Sequence, residues 1–156
     1  MDRWPAEFIR FMERPVPIFI HVAAARRGVA PFSCRGYAAR ADLEKDQVWI
    51  CILQSQWLRL NEYIQELSWL AVLLTAGPDN ESYQIKGTFD RVQPVLKEDC
   101  ELMERQRKWT SEYFPHLLPL VAVANSNCLA ISLRVRSIYL QTPGPHAGAL
   151  LTERSH

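Results

Sequence analysis

The hydrophobic pattern of this chain changes period several times, and each change marks an element. Phe8, Ile9 and Met12 follow Pro5 at helical spacing, which predicts a short helix over residues 5–13, ended by Pro15 and Pro17. Ile18, Ile20 and Val22 then alternate with Phe19 and His21, the two-residue period of a strand. Arg26-Arg27-Gly28 supplies a turn into a second strand over 29–41. Residues 42–46 are a charged turn, and 48–53 form an unbroken apolar run suited to a strand buried on both faces. From Gln56 the period lengthens, with Trp57, Leu60, Ile64 and Leu67 on one side of an amphipathic helix. Strands over 69–75 and 82–92 flank a break at Gly77-Pro78-Asp79-Asn80. Residues 97–113 read as a third helix, with Leu102, Gln106, Trp109 and Tyr113 along one side. The last strand, 128–139, slips its apolar phase by one residue after Val135, which predicts a bulge.

About six strands joined by short connections, with three helices and no internal repeat, favour a mainly β, α+β architecture closed as a small antiparallel barrel. Residues 1–144 are expected to form one domain and 145–156 a loosely ordered tail. At 156 residues such a domain buries roughly 70% of the surface of its unfolded chain, so it needs neither disulfides nor a structural metal. A formal charge of +1 supports neither nucleic acid nor an anionic membrane as a partner. Cys34, Cys51, Cys100 and Cys128 lack the close spacing of a zinc or redox pair and read as buried free thiols. The acidic residues among the first fourteen break the apolar core that a secretory signal requires, and no run approaches the roughly 20 residues of a membrane span. A cytoplasmic protein is the expectation.

The strand from Ser82 carries the most chemistry. Tyr83, Ile85, Gly87 and Phe89 share one face, so Ser82, Gln84, Lys86 and Thr88 share the other. On alternation alone that second face reads first as a solvated outer surface, as half-exposed antiparallel strands commonly present; the alternative is the polar wall of a groove that holds a phosphate and a heterocycle. On the second strand Ser33, Arg35, Tyr37 and Ala39 alternate with Cys34, Gly36, Ala38 and Arg40. Gly36 and Ala38 leave room for a ligand or for a close neighbouring strand. His21 reads as a hydrogen-bonded core residue and His116, between prolines, as a surface one. No glycine-rich nucleotide loop or serine-hydrolase elbow is present, and no side chain stands out as a catalytic acid or base.

Three segments resemble a known family in the same order along the chain. Gln141-Thr142-Pro143-Gly144-Pro145-His146-Ala147-Gly148 resembles the closing stretch of a branch of the pyridoxamine 5′-phosphate oxidase-like, FMN-binding split-barrel proteins. Tyr83-Gln84-Ile85-Lys86-Gly87 is similar to the apolar-Gln-apolar-Lys-Gly strand of that group, and the stretch from Cys34 to Asp42 to its Arg-small-aromatic strand. The resemblance implies a six-stranded split barrel that forms a homodimer with FMN at the subunit interface. It further implies cofactor contacts from Arg35, Tyr37, Ser82, Gln84 and Lys86, with the segment at Gln54, Ser55 and Gln56 helping to hold the phosphate. The activity so implied is a flavin-dependent oxidoreductase of unassigned substrate. Asp79 and Glu81 stand where related chains often carry basic and hydroxyl residues, and carboxylates there would repel a phosphate. That difference motivates a second reading, a non-catalytic flavin-binding or sensing protein. A third is use of the same groove for haem or a deazaflavin.

Overall fold

The computed structural model describes residues 4–65 and 68–154. In chain order these form α1 (Ala6–Met12), β1 (Ile18–Ala24), β2 (Phe32–Gly36), β3 (Ala38–Asp42), β4 (Gln47–Leu53), α2 (Gln54–Ile64), β5 (Trp69–Ala76), β6 (Ser82–Pro94), α3 (Lys97–Tyr113), β7 (Cys128–Leu140) and β8 (Leu150–Glu153). Every ladder is antiparallel, and the strands follow the order β2-β1-β5-β6-β7-β4-β3, with β8 added on β7. The class is the predicted one, although the sheet has eight strands where about six were expected.

The count differs for two physical reasons. First, the expected second strand is divided at Tyr37, whose N–H turns to the Cys51 carbonyl at 2.8 Å. Before this point the chain pairs with β1, and after it with β4. No ladder closes the sheet there, so the polypeptide itself joins the two ends of the strand path, and a gap opens between β1 and β3. The bend also reverses the faces. Phe32 and Cys34 point into the barrel core on β2, whereas on β3 the inward residues are Ala39 and Ala41, and Ala38 turns out beneath α3. Simple alternation through 29–41 therefore assigns the second half to the wrong sides. Second, the segment after Gly144, expected to be loose, contains β8. Its end is tied down by Arg154, which pairs with Asp46 and lies over the Trp4 ring at 5.3 Å. Residues 155–156 of that expected tail, and Leu67 of the second helix, lie outside the described residues.

The barrel interior is filled by alternate residues such as Ile20, Val22, Ile50, Ile52, Val72, Leu74, Ile85 and Leu133, all fully buried. The Phe8 and Phe11 rings of α1 pack on Tyr83 at 5.4 and 4.8 Å. A smaller cluster of Ala38, Cys51, Met103 and Cys128 lies beneath α3, which is why β4 is buried on both faces as its apolar run predicts. The buried side of α3 is Asp99, Met103, Gln106 and Thr110, rotated from the expected one; Tyr113 is 49% exposed. The room at Gly36 belongs to neighbouring strands, since a Cβ there would lie 2.6 Å from Ile20 Cγ2 and 2.7 Å from Ile50 Cγ2. The bulge predicted after Val135 is present. Gly87 pairs with Val135 and Lys86 with Ser137, leaving Arg136 as the extra residue.

Candidate functional site

The ladder registers place most of the expected site residues on the outer face of the β2-β1-β5-β6-β7 part of the sheet. Arg35 lies opposite His21, His21 opposite Leu73, Leu73 opposite Gln84, and Gln84 opposite Tyr139. The next row is Ser33, Ala23, Ala71, Lys86 and Ser137. With strands spaced about 4.8 Å apart, Arg35 and Gln84 are roughly 14 Å apart along one row. Beside the second row, on the side away from Arg35 and Gln84, the surface dips. A hollow of about 340 Å³ is lined by Ala23, Ala71, Trp69 and Lys86, and its wall is almost wholly apolar. Trp69 is 46% exposed and Leu73 36%, so this face presents large apolar side chains beside its polar ones.

Three donors on this face have spare capacity. Lys86 Nζ lies 5.0 Å from the centre of the Tyr139 ring, and neither it nor Arg35 has an ion pair among the described residues. Gln84 uses its Oε1 to accept from Gln141 Nε2 at 3.4 Å, which leaves its own amide N–H groups available. His21, read from the sequence as a core residue, is exposed here. Partial desolvation and then the Arg35 charge lower its pKa, so it is neutral at pH 7 and does not add to the cationic charge of the row.

Arg35 also neighbours the start of α2. Arg59 of that helix lies over the Phe32 ring at 4.8 Å and the Tyr63 hydroxyl donates to the Ala30 carbonyl at 3.1 Å, so α2 runs antiparallel to β2. Stepping back along the helix brings Gln54 and Ser55 alongside the Cys34–Gly36 stretch. Both are exposed, and Leu53 at the N-cap has no side-chain acceptor, so the first-turn amides remain open. Tyr37 is half-buried and packs against the cluster beneath α3. Burial is the main cause that raises its pKa, keeping the phenol protonated. Thus Arg35, Tyr37, Gln54 and Ser55 form one group, and Gln84 and Lys86 another. Leu53 pairs with Cys128 while Lys86 pairs with Ser137, so α2 starts on the order of 30 Å along β7 from Lys86.

Ser82 is the member whose chemistry is already used. It is 5% exposed, and its hydroxyl is within hydrogen-bond distance of the Asn80 carbonyl, 2.8 Å, and Thr75 Oγ1, 3.1 Å. Its backbone anchors the closing motif, donating to Thr142 Oγ1 at 3.0 Å and accepting from the Gln141 N–H at 2.8 Å. Two motifs that are distant in sequence therefore meet edge to edge, and Gln141 and Tyr139 join Gln84 and Lys86. Sequence reasoning missed both of these residues, together with Trp69. The slipped phase after Val135 was the available signal for Tyr139.

The acidic loop has a structural partner. Arg14 pairs with Asp79 at 3.0 Å and Glu81 at 2.7 Å, and the Tyr83 hydroxyl donates to Glu81 at 2.8 Å. These carboxylates hold the end of α1 to the β5–β6 loop, and their charge is met by protein groups. The Arg14 guanidinium, as the largest cause, lowers the Asp79 pKa. A lowered folded pKa contributes stability above the unfolded aspartate range, and that contribution is lost as pH falls through the folded value. Arg14→Ala is accordingly expected to melt below the wild type at pH 7, with the gap narrowing below about pH 4. Thermal melts across pH 7 to 2.5 check this; a gap that widens in acid would contradict it. Asp79 is 54% exposed, so added salt should shrink the gap as well.

With these positions established, comparison with known proteins is informative about the fold. No protein-family profile and no curated protein matches the chain. Among solved structures it is similar to HupZ of Group A Streptococcus, with a TM-score of 0.54 and 13% identity, covering 93% of this chain and 100% of that one. It is similar to a pyridoxamine 5′-phosphate oxidase-related, FMN binding protein from Nostoc punctiforme, with a TM-score of 0.53 and 10% identity over 88% and 83% of the two chains. A Clostridium acetobutylicum protein related to general stress protein 26, of the pyridoxinephosphate oxidase family, gives 0.50 and 12% over 85% and 84%. The chain therefore has the pyridoxamine 5′-phosphate oxidase-like split-barrel fold. At these identities the likeness speaks for the architecture alone. Among the described residues no helix is long and apolar enough to cross a membrane, and no cluster of three potential metal ligands occurs.

Proposed function

We propose that the protein binds a flavin phosphate of the FMN class on the outer face of β2-β1-β5-β6-β7, between two copies of the chain. The observation that carries this reading is a set of donors with spare capacity, Arg35, Lys86 and the Gln84 amide, on one sheet face that also carries an apolar hollow lined by Lys86. A phosphate monoester carries about −1.5 to −2 charges at neutral pH and suits Arg35 with the open amides at Gln54 and Ser55. Trp69, Ala23 and Ala71 offer a surface for a flat ring, while Gln84 and Lys86 supply donors to its carbonyl oxygens. Ser82 has no free hydroxyl for this task and acts as the anchor of the closing motif.

The long separation between α2 and Lys86 is the reason for invoking a second copy, since a partner docked on this face brings the two groups together. Leu73 and Trp69 supply its apolar contacts. Light scattering is expected to give twice the 18.0 kDa chain mass, and Leu73→Asp is expected to give monomers that no longer bind FMN. A wild-type monomer would remove the shared site.

When bound, FMN would supply two-electron chemistry, and the chain would bind and orient it; we propose oxidoreductase activity on a substrate still unassigned. The test is fluorescence titration of purified protein with FMN. Saturable quenching is expected, with Lys86→Ala and Arg35→Ala each weakening binding about tenfold, the effect of one charge-assisted hydrogen bond. Absence of saturation would defeat the proposal. Reduction of the bound flavin by a nicotinamide donor, followed by reoxidation, would separate turnover from simple binding. The acidic loop gives less support to a purely non-catalytic protein than its sequence suggests, because Arg14 meets both carboxylates.

A further inference from the structure

A cavity of about 550 Å³ opens at the gap between β1 and β3, bounded by α1 and α3. None of the residues assigned above to flavin binding lines it. Its size falls within the usual range for small-molecule sites, and an apolar wall with a few polar groups is their usual composition. Ile18 and Ile20 form one side, Ala39 and Ala41 of β3 another, and Trp109 of α3 closes the third. The short side chains of Ala39 and Ala41 help keep the space open, in a class of molecule whose interiors are otherwise close-packed.

The polar groups on this wall divide into those already used and those free. Arg14 is held by Asp79 and Glu81, and Arg40 by Asp99 at 2.7 Å. Gln106 is 7% exposed, and its Oε1 accepts the Ile18 N–H at 2.9 Å, while its Nε2 has no partner among the described residues. That amide donor stays open to the cavity and is available to a ligand acceptor. Arg105, adjacent on α3 and exposed at the rim, has no ion pair among the described residues. Glu13, exposed at the end of α1, is the one acid on the wall among the described residues. The free groups on α3 are thus donors only, and one of them is a guanidinium, which matches a carboxylate in charge and geometry.

We propose that this cavity binds an amphipathic aliphatic monocarboxylate, its head on Arg105 and Gln106 Nε2 and its chain along Ile20, Ala39, Ala41 and Trp109. The site is independent of the flavin reading. Isothermal calorimetry with decanoate, and with decanol as the uncharged analogue, tests it. Wild type is expected to bind decanoate saturably with one site per chain. Arg105→Ala should weaken decanoate about tenfold and leave decanol unchanged, since only the charged head meets the guanidinium. Ala41→Phe, filling the floor, should abolish both; Arg105 is exposed, so its variant carries the test even if Ala41→Phe does not fold. Lys86→Ala should bind decanoate as wild type does, and saturating FMN should not compete. No saturable binding, equal decanoate binding in Arg105→Ala, or displacement by FMN would each overturn the proposal.

Discussion

Gly87→Ala is expected to lower stability by about 3 kcal/mol, which for a chain of this size is a fall in Tm of about 10 °C. The cause is backbone against backbone. A Cβ at Gly87 would lie 2.2 Å from the Arg134 carbonyl oxygen and 3.0 Å from its carbon. Relief requires β7 to move at the point where Arg136 bulges and the strand changes phase. That phase decides that Ile138 is buried in the core and that Tyr139 lies opposite Gln84. Flavin binding should therefore weaken together with stability. Gly36→Ala is the comparison: its Cβ would meet the Ile20 and Ile50 methyl groups at 2.6 and 2.7 Å and the Ile20 Cβ at 3.0 Å, and side chains give way more readily than a carbonyl. A loss of about 1–2 kcal/mol is expected there. Denaturant unfolding measures both, and a Gly87→Ala variant within 1 kcal/mol of wild type would show that the bulge adapts freely.

Asp99→Ala is expected to cost about 3 kcal/mol, because one carboxylate serves two elements. Asp99 is 1% exposed; Oδ1 accepts from Arg40 Nε at 2.7 Å and Oδ2 from the Leu96 N–H at 2.8 Å. Leu96 has no side-chain acceptor for the first-turn amides, so among the described residues this is the one side-chain bond that caps the start of α3. Without Asp99 the Arg40 guanidinium, whose side chain is 21% exposed, keeps Glu98 at 3.6 Å, itself 60% exposed, and the Trp49 ring at 5.0 Å. Asp99→Asn keeps an acceptor for the cap and should lose less. A double-mutant cycle with Arg40→Met is expected to return a coupling of about 2 kcal/mol, since removing both partners leaves no uncompensated charge. Additive losses would mean that the cap alone matters. α3 also bounds the cavity proposed for the carboxylate, so loss of this anchor should weaken decanoate binding as well.

The identity of the elements was legible in the sequence because period is a local property. Strands, helices and even the β7 bulge follow from where apolar residues recur, as with the slip from Val135 to Ile138. The pairing of Gln84 and Lys86 on one face followed in the same way. What tertiary structure alone decided is which faces meet. At Tyr37 the chain leaves one neighbouring strand for another and inverts its sides, and no local period records an exchange of partners. His21 fell outside the core because its strand has a barrel interior on one side only, whereas β4 acquired a second buried face from α3. Arg14 answers two carboxylates more than sixty residues away, and Gln106 reaches Ile18 across the gap between β1 and β3. Such contacts arise from the order in which strands are laid side by side, so they belong to the assembled barrel and not to any stretch of its sequence.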